Sequence, residues 1–213
     1  GVIEKYRETR DWNHNNPSRS TRNISLDRPY VYFPLQLQPE MTTSALGSRY
    51  SDQITALEVL DKLIPDNWLI YVKENPKQTH RQRGETFMRR LTSIPKVRYV
   101  DKGLNTYELL RHSRFASTIT GTVGWEAISG GKPALVFGNP WYKQLAGVVQ
   151  YKNSTTLDDI INLKFAHEAL EASLTNLISK SAKGVIDPEY SSIVKDYNEP
   201  HNNKLIANFL NKA

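Results

Sequence analysis

Short apolar runs separated by segments of helical periodicity leave this chain few ways to bury its side chains. The run Tyr30-Val31-Tyr32-Phe33-Pro34-Leu35-Gln36-Leu37 is β-branched, aromatic and almost continuously apolar. That is the pattern of a strand covered on both faces. Trp68 to Lys73, Lys96 to Val100, Phe115 to Ile119, Pro133 to Phe137 and Gly147 to Gln150 repeat it at shorter length. Between them, Ser51 to Leu63 places Ile54, Leu57, Val59-Leu60 and Leu63-Ile64 at helical spacing before Pro65-Asp66-Asn67 stops it. Thr79 to Leu91, Thr106 to His112 and Val123 to Ser129 read as further helices, and Gln38 to Ser48 reads as a polar loop. Strands alternating with helices join in parallel through right-handed crossovers. The expected fold class is therefore α/β, a Rossmann-like parallel sheet with helices on both faces. Helices at Leu157 to Ser179 and Lys204 to Leu210 complete the chain.

A chain of 213 residues fits one domain. Residues 1–28 are polar, rich in Arg, Asn and Ser, and read as a linker; residues 29–213 carry the domain. Gly1 stands where an initiator Met would, as in a segment of a longer chain. Mean hydropathy is low at −0.56, so the polarity sits in the ends and loops around an apolar centre.

Without cysteine there is neither a disulfide framework nor a thiolate metal site, and the cytosol is the expected compartment. The five His are dispersed and no Asp-x-Asp occurs, so neither a metal nor another cofactor is expected. No apolar run approaches the roughly 18–20 residues that cross a bilayer. A net charge of +6 favours anionic partners: nucleic acid, an anionic lipid surface or a phosphorylated small molecule. The densest basic stretch, His80-Arg81-Gln82-Arg83 with Arg89-Arg90, falls on a helix and reads as a solvated face. No zinc-finger, RNP-like or helix-turn-helix pattern accompanies it, so no specific nucleic-acid partner is expected.

Ligands of an open parallel sheet bind outside the carboxyl ends of its strands. After the first strand the sequence places Gln38-Pro39-Glu40-Met41-Thr42-Thr43-Ser44. Glu40 is a candidate acid, base or hydroxyl clamp, and Gln38, Thr42 and Thr43 are candidate ligand donors. Turn and N-cap chemistry accounts for the same hydroxyls. After the second strand, Lys73, Asn75 and Lys77 around Pro76 suit an anion, or a simple turn. The fourth strand opens the most specific segment, Thr120-Gly121-Thr122-Val123-Gly124-Trp125-Glu126-Ala127-Ile128-Ser129-Gly130-Gly131-Lys132-Pro133. Gly121 and Gly124 let backbone approach a ligand, Thr122 and Val123 open a helix toward phosphate, and Glu126 can accept from ribose hydroxyls. Phe137-Gly138-Asn139-Pro140-Trp141-Tyr142 then supplies two aromatics that either stack on a ligand or pack an interdomain face.

In this order the loops resemble the bacterial capsule polysaccharide biosynthesis family, which includes Kdo transferases of GT-B fold. Tyr32 to Glu40, Tyr71 to Pro76 and Gly121 to Gly138 carry the resemblance, over about residues 29–150. The resemblance implies that the chain is the C-terminal, donor-binding half of a GT-B glycosyltransferase. The donor would be a nucleotide sugar such as CMP-Kdo, and the acceptor a surface or capsule polysaccharide or a glycolipid. An N-terminal partner domain, a cytoplasmic location and peripheral contact with the inner membrane face are implied with it. The Gln38-Pro39-Glu40 loop would lie at the reaction centre. Asn75-Pro76 stands where the family has a His-Pro pair for the donor phosphate; Asn donates a hydrogen bond but carries no proton to transfer. A sugar-nucleotide epimerase-like domain and a non-catalytic nucleotide-sugar or partner-binding module share the same loops.

Overall fold

The computed structural model describes residues 20–211. Its sheet is built from β1 (Tyr30–Pro34), β2 (Leu69–Lys73), β3 (Val97–Val100), β4 (Phe115–Thr118), β5 (Ala134–Val136) and β6 (Val148–Gln150). All neighbours are parallel, in the order β3-β2-β1-β4-β5-β6. The α/β class and its Rossmann-like parallel sheet thus follow the alternation read from the sequence. The strand order reverses between β1 and β4, where a doubly wound sheet opens its ligand crevice.

Residues of opposite parity in β1 face opposite layers. Val31, Phe33 and Leu35, with Ile70 and Val72 of β2, join a core with Ile54, Leu57 and Leu60 of α2 (Gln53–Leu63) and with Met88 and Leu91 of α4 (Glu85–Ser93). Burying each such side chain contributes about 1.5–3 kcal/mol. On the other face the Tyr30 hydroxyl donates to the Leu109 carbonyl of α5 (Thr106–His112) at 2.7 Å. Helices therefore cover both faces, and β1 is buried on each, as its apolar sequence required. Side-chain caps set the helix starts: Asp52 accepts from Ile54 N–H, Asn105 from Tyr107 and Glu108 N–H, and Thr156 and Asp159 form a reciprocal box at α7 (Leu157–Ile161).

Several elements differ from the sequence expectation. The loop from Gln38 to Ser48 contains α1 (Met41–Leu46). The helix expected over Thr79 to Leu91 is broken by Gly84, whose φ of 75° no helix accommodates, into α3 (His80–Arg83) and α4. The helix expected over Leu157 to Ser179 divides into α7 and α8 (His167–Ser179); between them the Phe165 ring packs on Gly147. Residues 20–28, expected as linker, have no regular structure but are docked on the sheet. Thr21 pairs with the β3 edge, through Thr21 N–H to Tyr99 O and Asp101 N–H to Thr21 O at 3.0 Å each, and Ser25 exchanges hydrogen bonds with the Tyr71 hydroxyl. The rest of the expected linker lies outside the described residues.

The chain forms two compact units, one up to Leu170 and one from Glu171. In the second, Asn202 on α9 (Glu199–Leu210) clips the Val185 backbone, accepting from its N–H at 2.7 Å and donating to its carbonyl at 2.9 Å. That helix begins five residues before the expected Lys204, at the cap Asn198 followed by Glu199 and Pro200. Among the described residues no helix is long and apolar enough to cross a membrane.

Candidate functional site

The region between the β1 and β4 ends, where the strand order reverses, is organised around Gln36, two residues past β1 and 8% exposed. Its amide satisfies every partner when the oxygen faces the backbone N–H groups of Thr120 (2.8 Å) and Gly121 and the Thr118 hydroxyl (2.9 Å). The nitrogen then donates to the hydroxyls of Thr43 (2.6 Å) and Thr120 (3.2 Å). The Gln36 backbone is equally committed: its N–H donates to Gln53 Oε1 at 2.8 Å, and its carbonyl accepts from Gln53 Nε2 at 3.0 Å and Arg83 Nη2 at 2.9 Å. One side chain thus ties α1, through Thr43, to the loop after β4.

Behind it lies a buried polar lattice. Arg83 meets Glu74 through two hydrogen bonds, Nη2 to Oε1 at 2.7 Å and Nε to Oε2 at 3.1 Å, with side-chain exposures of 2% and 7%. Its Nη1 donates to Gln38 Oε1 at 3.1 Å, and its guanidinium lies 4.7 Å from the Phe87 ring centroid. Arg83 is therefore not part of a solvated basic face, as its sequence neighbours suggested; burial against Glu74 on the β2 exit loop removes it from solvent. Arg90 keeps the expected exposed character and pairs with Asp52 at 2.8 Å. Gln38 is held on all sides: its side chain by Ser51, Gln53 and Arg83, and its N–H and carbonyl by the two ends of the Gln78 amide. Its peptide bond to Pro39 is cis.

At the β2 exit, Lys73 Nζ donates to the Leu104 carbonyl and to the Thr106 hydroxyl at 2.8 Å. Burial lowers its pKa, and the Asp101 charge opposes the shift. The Asn75 carbonyl oxygen of the side chain accepts from Lys77 N–H at 2.9 Å, and its backbone carbonyl from Gln78 N–H, so Asn75-Pro76 forms an Asx turn. Tyr32 reaches the same Thr106 hydroxyl. Its phenol is pushed up to about 12 by burial; the Thr106 hydrogen bond opposes this and the Glu126 charge adds to it.

The loop after β4 leads into α6 (Val123–Ser129). A side chain on Gly121 would meet the Gln36 amide and Thr118 Oγ1 at 2.9 Å, and one on Gly124 would enter the Tyr142 ring, 2.7 Å from Cε2. Tyr142 is fully buried and its hydroxyl donates to the Gly121 carbonyl. Both glycines are thus fixed by internal neighbours. The Thr122 hydroxyl donates to Glu126 Oε1 at 3.0 Å, and the Glu126 charge raises the Tyr142 pKa further after burial. Trp125 and the 55% exposed Trp141 stand with ring centroids 5.3 Å apart. Among the described residues no group of three His, Asp or Glu could hold a metal ion.

The model of the capsule polysaccharide biosynthesis protein family matches residues 3–180. The chain belongs to this family. No curated protein matches. Among solved structures the chain is similar to Thermosulfurimonas dismutans KpsC, beta Kdo 2,7 transferase, at 17% identity and a TM-score of 0.49, covering 72% of this chain and 46% of that one. It is similar to the beta Kdo 2,4 transferase of the same KpsC at 19% identity and a TM-score of 0.45, covering 68% and 46%. It is also similar to the UDP-GlcNAc 2-epimerase of Methanocaldococcus jannaschii at 12% identity and a TM-score of 0.46, covering 90% and 47%. This chain spans about half the length of each of these proteins.

In this member of the family the candidate residues sort by exposure. Glu40, the N-cap of α1 with no side-chain cap bond, is exposed with Thr42 and Thr122, and Glu126, in the first turn of α6, is half-buried. Thr43, Gln38, Lys73, Asn75 and Gly121 are drawn into contacts within the protein. Gln36, Gln53 and Glu74 organise the site without having been singled out by sequence; they are joined by Arg83, which the sequence reads as part of a solvated face, and by Tyr142, which it reads as an aromatic for a ligand or an interdomain face. A polar residue next to an apolar run, as Gln36 follows Leu35, was the available signal.

Proposed function

We propose that this chain is the nucleotide-sugar-binding half of a glycosyltransferase that builds capsule polysaccharide. Membership of the capsule polysaccharide biosynthesis family carries the reading. The reversal of strand order supports it, because Glu40 and Thr42 stand at the start of α1 after β1, and Thr122 and Glu126 at the start of α6 after β4. In this reading Glu126 clamps the ribose and Thr122 and Thr42 offer hydroxyls to phosphate. Glu40 faces the transferred sugar as acid, base or hydroxyl clamp. The donor is a nucleotide sugar, a CMP-sugar such as Kdo, and the acceptor a polysaccharide or glycolipid held by a partner domain across the cleft. Calorimetry with cytidine and uridine nucleotides tests the reading, and the absence of heat for all of them at millimolar concentration would refute it. Glu126→Ala is expected to weaken binding by about 1–3 kcal/mol, through loss of a charged hydrogen bond.

The engagement of Asn75 in an Asx turn favours a second reading, in which the module binds nucleotide sugar without transferring it. Restoring His at position 75 in the full-length parent protein separates the two: a gain of transfer supports the enzyme, and unchanged inactivity supports the binding module.

A further inference from the structure

Two consecutive backbone N–H groups and a hydroxyl converging on one point form a nest for an anionic oxygen. Thr120 N–H, Gly121 N–H and Thr118 Oγ1 converge in this way, and the point they share holds the Gln36 amide oxygen. The amide nitrogen, on the opposite side, reaches Thr43 in the helix that begins at Glu40. Gly121 has no room for a side chain because the Gln36 amide lies against it.

We propose that Gln36 is the positioning residue of the candidate site, an internal ligand that fills the nest of the glycine loop and ties it to the helix carrying Glu40. A bound ligand then meets the outward groups of Thr42, Thr122, Glu40 and Glu126, and not the Thr120 and Gly121 N–H groups. The loop is held in its binding arrangement before any ligand arrives, which lowers the ordering cost of association. The ligand arm of this inference rests on the nucleotide-binding reading above; the arm concerning the loop does not.

Amide hydrogen exchange of the full chain by NMR tests the loop arm, in the wild type, Gln36→Met and Gln36→Glu. Met fills the volume without accepting a hydrogen bond, whereas Glu keeps an acceptor in the nest. Exchange at Thr120 is expected to rise about tenfold or more in Gln36→Met and to stay slow in Gln36→Glu, with Val31 and Ile70 unchanged in both; Gly121 N–H keeps the Thr118 hydroxyl as an acceptor at 3.1 Å. Thr43→Val, which removes only the tether to α1, should speed exchange at Ser44 and leave Thr120 and Gly121 protected. Unchanged exchange at Thr120 in Gln36→Met, or a uniform rise across the sheet, overturns the inference. Should Gln36→Met fail to fold, fast exchange at Thr120 in Gln36→Glu overturns it, and slow exchange supports it. Titration of the same samples with CMP and UMP gives the ligand arm, where Gln36→Met is expected to bind about tenfold more weakly than the wild type. Equal affinity overturns the positioning role. A wild type that binds neither nucleotide refutes the nucleotide-binding reading, while the exchange data still decide the loop arm.

Discussion

Removing either partner of the Glu74-Arg83 pair should cost far more than removing both. The side chains are 2% and 7% exposed and share two hydrogen bonds of 2.7 and 3.1 Å, so neither charge has solvent to fall back on. In Glu74→Leu the guanidinium keeps only neutral acceptors, the Gln36 carbonyl and Gln38 Oε1. In Arg83→Met the carboxylate keeps Asn75 N–H, at 2.8 Å. Each single substitution leaves a buried, uncompensated charge, and each is expected to destabilise by about 3–5 kcal/mol. In the double variant both charges are gone, and the acceptors that Arg83 served are still supplied by Gln53. Only the N–H of the half-buried Asn75 then loses its acceptor, so the double variant should be more stable than either single one, whereas additivity would predict a loss of about 6–10 kcal/mol. Urea unfolding followed by circular dichroism measures the cycle, provided the slope with denaturant stays constant. At about 2–4 °C per kcal/mol the single variants should also melt roughly 6–20 °C below the wild type. A double variant whose loss equals the sum of the singles within about 0.5 kcal/mol would refute the argument.

Other perturbations probe separate parts of the unit. Gly124→Ala places a methyl group inside the Tyr142 ring and should destabilise by about 1–3 kcal/mol; a melting temperature equal to the wild type would contradict the packing described. Ser117 is fully buried on β4 and its hydroxyl has no hydrogen-bond partner among the described residues, so Ser117→Ala should stabilise by about 1 kcal/mol in the same urea assay, and a loss would show that a partner exists. Tyr30, Tyr32, Tyr99 and Tyr142 are all raised by burial above the ordinary 10.0, Tyr32 to about 12. Their protonated form is bound more tightly in the folded state, so the stability they contribute is complete below pH 10 and is lost as pH rises through 10 to 12. Each contributes a slope of about 1.4 kcal/mol per pH unit there. Phenolate absorbance should therefore show these tyrosines ionising together with unfolding, and gradual ionisation near pH 10 in the folded protein would count against their burial.

The sheet was legible because its strands are buried on both faces and its helices carry their apolar residues at turn spacing. Ile54, Leu57 and Leu60 announce α2, and Val31, Phe33 and Leu35 meet them in the core. What escaped was set by contacts between distant residues. The short helix α1 has no apolar stripe in Met-Thr-Thr-Ser-Ala-Leu; it is held by Thr43 reaching Gln36. Arg83 lies among basic neighbours, and nothing local says that Glu74, nine residues earlier, will take it into the interior. The candidate site divided in the same way. Glu40, Thr42, Thr122 and Glu126 face outward, whereas Gln38 and Lys73, chemically just as plausible as ligand donors, spend their donors on Ser51 and on Leu104 and Thr106.

The glycine-rich loop shows why spacing alone leaves the partner of a glycine open. Glycine is demanded wherever something approaches the backbone closely, and the pattern does not say whether a ligand or the protein itself makes the approach. Here the Gln36 amide comes to Gly121 and the Tyr142 ring to Gly124. The two approaches act together, because the Tyr142 hydroxyl also holds the Gly121 carbonyl while Gln36 holds the Gly121 N–H. The peptide groups on either side of Gly121 are thereby each held by a side chain. Substitutions at these glycines must then lower stability whether or not nucleotide binds, so a loss of binding in such a variant says nothing about ligand contact. Substitutions at Glu40, Thr42, Thr122 and Glu126 carry that information, because these side chains stand outside the lattice and their removal leaves it intact.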